Sequence, residues 1–489
     1  MLARITSLLG RSRTSFRAMS STSQSVQLPE KRSTEEMKKE EQKSDSAPQD
    51  RPSAESSDAT TPSAAAKRIK TAKDRKDHFD KKQSWKAKDW ATSGKKPVRD
   101  GPAPERKPKK KVAVLVGFCG TGYQGMQINP TAKSIEGELF NAFCKTGAVS
   151  EDNSDDPKKV SFTRAARTDK GVHAAGNVVS LKLIVEDKDI VSKINSYLPD
   201  QIRVWGYVQT MRNFNAKTGC DSRVYEYLLP TYTLMAKKPI DPVLLENAAD
   251  QKLIELPPPT AEELAEKRAY RASEEQLKEV ANILSAFEGT NNFHNYTIGR
   301  HYKDRASSRY IMSFKVDKPQ YVDNMEWLSL KIHGQSFMLH QIRKMVGILI
   351  LAIRSGTPAA LISKTFGPEK LNIPKAPALG LLLERPIFET YNKRISTIDE
   401  GREPVKFDDY EEEINAFKSK YIYSKIYEEE VRENVFDGWL RLIDGYRGVD
   451  YGYLNPEGVI PETSVIGKGQ ERMMDTEDIE DAQADDREG

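Results

Sequence analysis

Residues 164–174 read RAARTDKGVHA, and what Asp169 does there decides how the chain is read. Asp and Gly are residues of tight turns, so one reading of Asp169–Gly171 is a plain hairpin bend. The other is a carboxylate kept ionised by a neighbouring cation and presented to a substrate. The flanks speak for strands: VSFTRAA before the bend and NVVSLKL after it alternate with period two. A bend between two such strands lies at a sheet end or edge, where functional groups concentrate. Arg167 and Asp169 are two apart, so on a strand they share a face. A cation within about 4–6 Å lowers a carboxylate pKa and keeps it charged at neutral pH.

Outward from this bend, strands and helices alternate. KVAVLVGF (Lys111 to Phe118) is an apolar strand, and SIEGELFNAFCKTG predicts a helix with Ser134 before it and Gly147 after it. DIVSKINSYL reads as a short helix, then IRVWGYVQTM and RVYEYLLP as strands. RVYEY puts Tyr225 and Tyr227 on one face, with rings suited to stacking on a base. Residues 231–271, with three prolines at Pro257 to Pro259, read as an insertion. SEEQLKEVANILSAFEG carries the capping pattern of Ser273 and Gln276. Two strands, Arg309 to Val316 and Glu326 to His333, precede a helix read from Ser336 to Ser355. On that helix His340, Arg343, Lys344 and Gly347 form a polar stripe, opposite Ile342, Met345, Ile348, Leu349 and Ile353. An arginine on such a stripe is usually solvated; the glycine beside it says that something packs close. Hairpins mixed with helices indicate α+β rather than a doubly wound sheet.

The chain has 489 residues with 37% hydrophobic content, low enough to predict unstructured segments beside a folded middle. The organisation read from it is a targeting region 1–108, a folded domain 109–395 in two halves (109–230 and 272–395), a charged helical extension 396–450, and a disordered acidic tail 451–489. The first thirty residues hold Arg4, Arg11, Arg13 and Arg17 and no acid before Glu30, the composition of a mitochondrial presequence. KRIK at Lys67 and RKPKKK ending at Lys111 fit nuclear import or a nucleic-acid patch. Initiation at Met19 would remove the presequence and keep the lysine clusters, which predicts both nucleus and mitochondrion. Cys119, Cys144 and Cys220 show no CxxC spacing, which argues against a zinc site or a disulfide framework. No run is long and apolar enough to span a bilayer.

GTGYQG at Gly120 to Gly125 matches G-x-G-x-x-G after an apolar strand. A dinucleotide site needs the third glycine to lead straight into a helix, and here MQINPTAKS follows instead. The glycines are read as letting the backbone bend or approach something closely, and no nucleotide cofactor is expected.

ARTDKGVHA resembles the signature of the TruA family of pseudouridine synthases, and four further stretches agree in order: GFCGTGYQGMQ, FNAKTGCDSRVYEY, SFMLHQIRKMVG and KAPALGLLLERPIF. FHNYT and the K-A-P-x-L-G form are similar to the eukaryotic multisite tRNA branch. The resemblance covers about Lys111 to Tyr391. It implies two ferredoxin-like α/β halves forming a continuous mixed, mainly antiparallel sheet flanked by helices, with a central basic cleft. It implies isomerisation of uridine to pseudouridine in tRNA and in other RNAs such as small nuclear and messenger RNA, without cofactor or metal. Asp169 matches the catalytic aspartate, Arg167 the arginine that pairs with it and takes the flipped base's place, Tyr225 the tyrosine that stacks on the uracil, and Arg343 the arginine that salt-bridges the aspartate. Leu381 and Leu383 match the apolar wall; His173 and His340 are left as structural or RNA-contacting. Cys119 and Met126 stand where many relatives carry Asp and Trp, and Lys217 where bacterial members often carry Arg, which puts RNA grip or substrate range in question. The charged C-terminal segment favours a monomer over the bacterial dimer. The alternatives are a non-catalytic RNA chaperone of the same fold and an oxidoreductase resting on GTGYQG.

Overall fold

The computed structural model describes residues 107–129, 132–248, 250–398 and 402–467. The targeting region 1–108 therefore lies, but for its last two residues, outside the described part. Strand β1 (Lys110–Phe118) is buried along almost its whole length, as its unbroken apolar run requires. Helix α1 (Ile135–Lys145) starts where Ser134 accepts a hydrogen bond from the Gly137 amide, and Gly147 beyond it takes a positive φ. The strand expected over VSFTRAA shrinks to β2 (Thr163–Arg164). A 3-10 turn occupies residues 157–160 before it, and the chain leaves the sheet after it to form the Asp169 loop. There follow β3 (His173–Leu183), α2 (Ile190–Ser196), β4 (Ile202–Gln209) and β5 (Ser222–Pro230). The insertion carries α3 (Pro242–Asn247) and α4 (Ala261–Ala269). Helix α5 (Glu274–Ser285) opens with the capping box, Ser273 and Gln276 each bonding the other's amide.

The second half continues with β6 (Gly289–Asn292), β7 (Ser308–Val316), β8 (Gln320–Val322), β9 (Met325–Gly334), α6 (Gln341–Ser355), α7 (Ala360–Lys364) and β10 (Leu381–Ile387). Among the described residues the strands form one sheet in the order β4-β1-β3-β10-β5-β9-β7-β6, with β2 beside β3 and β8 beside β9. Pairing is antiparallel throughout except where β10 runs parallel to β3. The last strand of the second half thus lies between β3 and β5, two strands of the first half, and joins them. The expected α+β architecture of a continuous, mainly antiparallel sheet flanked by helices is what the chain forms.

Helix α8 (Glu389–Ile398) crosses from the second half into the extension, which carries α9 (Glu411–Phe417), α10 (Ser424–Glu433) and α11 (Val435–Gly445). It packs closely: a Cβ on Gly206 would lie 2.0 Å from the Tyr410 hydroxyl, and one on Gly176 would meet the Phe407 ring at 2.9 Å. Lys418 is buried between Glu226 of β5 and Glu384 of β10. The insertion is built onto the extension, with Ile254 N–H donating to Gly445 O at 2.9 Å and Arg447 N–H to Lys252 O at 2.8 Å. The tail begins later than expected. Residues 451–467 belong to the fold, with Tyr453 fully buried and its hydroxyl donating to Asn372 O at 2.8 Å, because aromatic and apolar residues there still have a core to join. Residues 468–489 lie outside the described part. Among the described residues no helix is long and apolar enough to cross a membrane.

Candidate active site

Asp169 sits in the loop between β2 and β3, and that loop is clamped along its length. Ala165 N–H donates to Val178 O at 2.8 Å, Asn177 Nδ2 to Ala166 O at 3.0 Å, and Gly171 N–H to Tyr123 O at 3.3 Å. The glycine-rich stretch after β1 forms the other side. A Cβ on Gly125 would lie 2.5 Å from Thr168 O, and one on Gly120 would lie 2.1 Å from Val172 O. These glycines therefore serve close backbone approach to the aspartate loop, as read from the sequence, and no helix follows them to meet a pyrophosphate. Gly171 has φ 76°, so a bend is present as well.

The loop opens onto a cleft of about 340 Å³. Arg164, Arg167, Lys217 and Arg223 line it from the first half and from β5, and Arg300, Arg309 and Arg343 from the second half; Asp169 is the one carboxylate among the lining residues. Its side chain keeps 20% of its exposure, enough to be reached from the cleft. Burial alone pushes this carboxyl up. The hydrogen bond and charge of His340, then the charges of Arg343 and Arg167, outweigh burial and hold it below the ordinary carboxylate value.

Tyr225 lines the cleft from β5 with its ring edge-on to Phe337, centroids 5.2 Å apart. Burial pushes its phenol well up, so it is a neutral hydroxyl at any working pH. Tyr227, on the same strand face, does not reach the cleft: it is fully buried and donates to Pro377 O at 2.7 Å. Leu381 lines the cleft as expected. Leu383 does not; it is fully buried, beside Tyr225 in the β10–β5 register.

Arg343 is buried rather than solvated, its Nε donating to Ala376 O at 2.8 Å. Gly347 explains how: a Cβ there would lie 2.2 Å from Pro374 O, so the K-A-P segment packs directly on α6. The expected helix start is corrected. Residues 336–340 are not helical, and His340 precedes α6 with φ 59° and ψ 3°. Its Nδ1 lies 3.1 Å from Asp169 Oδ2, so this histidine belongs to the site rather than to the framework. His173 is structural. Its Nδ1 accepts from the Gly120 amide at 3.1 Å, and burial pushes its pKa down to about 4.

With this geometry in place, the comparisons are specific. A family model described as tRNA pseudouridine synthase matches residues 283–389. A Yarrowia lipolytica protein named tRNA pseudouridine synthase 1 is 42% identical over 441 residues, 78% of this chain and 83% of that protein. The Saccharomyces cerevisiae protein of that name is 42% identical over 404 residues, 71% of this chain and 74% of its own. A mouse pseudouridylate synthase 1 homolog is 37% identical over 369 residues, 74% of this chain and 81% of its own.

The chain belongs to the tRNA pseudouridine synthase family. As a member it is an isomerase, and the TruA-type resemblance of its five stretches is borne out. Two departures from the family pattern lose their bearing on RNA grip, because Cys119 and Met126 are buried. Lys217 does line the cleft. Sequence reading missed Arg223, Arg300, Arg309 and Phe337. Arg223 could have been found, since it has the same strand parity as Tyr225; Arg300 and Arg309 carry no local signal that places them in the cleft.

Proposed function

We propose that this isomerase converts uridines of tRNA to pseudouridine with Asp169 as the reacting carboxylate. One observation carries the reading: a single, reachable, charge-stabilised carboxylate in a cleft otherwise lined by seven arginines and lysines. The cations suit a polyanionic RNA backbone, and the lone acid is placed for the chemistry. The reaction breaks N1–C1′, turns the uracil, and joins C5 to C1′; C5 loses a proton, N1 gains one, and nothing is oxidised or reduced. Asp169 acts either as nucleophile at C1′ or as base at the sugar. Both roles need it unprotonated, which the surrounding cations secure. The target nucleotide leaves its stack at a cost of about a few kcal/mol. Tyr225 offers a ring to stack on, buttressed by Phe337. Arg167 takes the vacated place in the RNA, and Leu381 supplies an apolar wall.

The reading extends to uridines of small nuclear and messenger RNA, because a cleft built on phosphate-type contacts is not confined to one RNA class. The Arg- and Ser-rich first thirty residues and the lysine clusters support work in both mitochondrion and nucleus. The extension packed on Gly176, Gly206 and Glu226 supports a monomer, which sedimentation would check. The deciding experiment is Asp169→Asn assayed on uridine-containing tRNA. Conversion is lost while tRNA binding stays; substantial residual conversion would sink the assignment. Fusions begun at Met1 and at Met19 test localisation, which fails if the two distribute identically.

A further inference from the structure

We infer that His340 is a positioning residue for the Asp169 carboxylate, its Nδ1–H fixing the plane in which that carboxylate meets the ribose. The inference rests on the reading of Asp169 as the reacting group. The contact is short, Nδ1 to Oδ2 at 3.1 Å, and it joins a side chain with no exposure to one that is 20% exposed. A carboxylate facing this ring nitrogen keeps a proton on Nδ1, in the charged ring and in the neutral one alike.

The backbone is bent to make this contact. A helix usually begins with Ser, Thr, Asp or Asn in an extended conformation, its side chain accepting from the first amides. Here α6 begins with a histidine in the left-handed region, and its side chain gives the helix no capping bond. The helix forgoes its cap and accepts an unfavourable backbone conformation, and strain of this kind persists only where surrounding structure holds it. That holding is visible. Gln341 N–H donates to Met338 O at 3.1 Å, and Met338 N–H to Gln341 Oε1 at 2.9 Å. The Thr297 hydroxyl donates to Leu339 O at 3.0 Å. Had the helix run back to Ser336, position 340 would lie on the stripe with Arg343. The left-handed turn instead carries the ring away from that stripe and onto the aspartate.

Asp169 comes from the first half and His340 from the second, so the bond also fixes the distance between the two walls of the cleft. A carboxylate that must meet a sugar carbon or its hydrogen depends on such alignment more than on extra binding energy.

The test uses the full chain with two substitutions that both accept φ 59°. His340→Gly removes the donor without backbone strain; His340→Asn keeps an amide nitrogen as many bonds from the backbone as Nδ1. Single-turnover conversion and tRNA Kd are measured separately. The glycine variant is expected to slow conversion about 100-fold with Kd unchanged, and asparagine to restore most of that rate. A glycine variant that converts at the wild-type rate overturns the inference. So does one that slows only in proportion to weakened binding, or an asparagine variant as slow as glycine while binding tRNA normally. Should the glycine variant not fold, His340→Asp, which also accepts φ 59° but offers no donor to the carboxylate, takes its place: a slow aspartate variant beside a near-wild-type asparagine variant supports the inference, and equal rates overturn it. Asp169→Asn, run alongside, separates the two readings. If it remains active, the assignment of Asp169 fails; if it is dead while His340→Gly is fully active, only the inference about His340 fails.

Discussion

Two clusters of charge lie on opposite faces of strand β5, one open and one buried, and they are balanced in opposite ways. On the Tyr225 side seven arginines and lysines line a cleft with one carboxylate; Glu136 behind it pairs with Arg164 and Asp304 with Arg300, and the lining still carries a positive excess. On the Glu226 side one lysine, Lys418, sits between two carboxylates and is closed off by the extension. Ser329 Oγ donates to Glu226 at 2.6 Å, and the Tyr423 hydroxyl at 2.7 Å. Burial pushes both carboxyls up there. Lys418 reverses this at Glu226, holding it below the ordinary range, while Glu384 stays raised. The structural cluster satisfies itself. The cleft is left needing a polyanion to complete it, and that excess is the mark of a site that binds one.

The comparison breaks first at the acid of the cleft. Asp169→Asn should lower single-turnover conversion by more than about a thousandfold with tRNA affinity and unfolding midpoint nearly unchanged. Next comes the lysine behind it. Lys418→Met leaves two buried carboxyls facing each other and should cost about 3–5 kcal/mol in denaturant unfolding, with Glu384→Gln recovering part of it. A variant at Lys418 that unfolds like wild type would show that the cluster contributes nothing net.

A third, smaller effect is one of pH. Glu430 accepts bonds from the Tyr232 hydroxyl and the Phe436 amide, yet burial pushes its carboxyl up from 4.5 to about 7. The folded state then holds a proton that the unfolded chain has released. Stability should fall as pH rises from 4.5 to about 7 and stay lower above that, by about 3 kcal/mol at most. Glu430→Gln should flatten this slope in unfolding curves taken across pH. Asp169 runs the other way: its carboxyl is held below the ordinary value of 3.8, so activity that depends on it is lost only as pH falls below that. The smallest effect belongs to the cleft wall. Arg300→Ala should weaken tRNA binding uniformly across sequences and reduce the salt slope of log K by about 1, measured by titration at several ionic strengths.

Strands β1, β3, β4, β5, β7 and β9, the caps of α1 and α5 and the glycine approach to the Asp169 loop were legible because each is written locally, as a period, an N-cap serine or a glycine beside a bend; the short β6 and β8 carry too few residues to show a period. His340 was not. Nothing between Ser336 and His340 breaks a helical pattern, and the turn found there, with Phe337 and Met338 lining the cleft, is held by partners such as Thr297 that are distant in sequence. Lys418 reads as one more solvated charge on a polar helix, and its burial follows from two carboxylates that reach through the sheet from β5 and β10. Leu383 shares the period of Leu381, but period two fixes only the face and says nothing of how deep along the strand the cleft ends. Arg300 and Arg309 share a cleft with Asp169 only because the halves are joined.

That join has a consequence for how the molecule comes to life on the ribosome. Leu382 pairs with His173 on one side and Glu226 on the other, though β3 and β5 are synthesised long before β10. Until β10 emerges, both earlier strands present bare edges to each other and to neighbouring chains. Contacts so distant in sequence close slowly. A nascent chain stalled before Leu381 would hold Asp169 and Tyr225 on separate, unjoined sheets. The cleft is thus among the last things the polypeptide makes, and shielding those two edges during synthesis is the natural task for a chaperone.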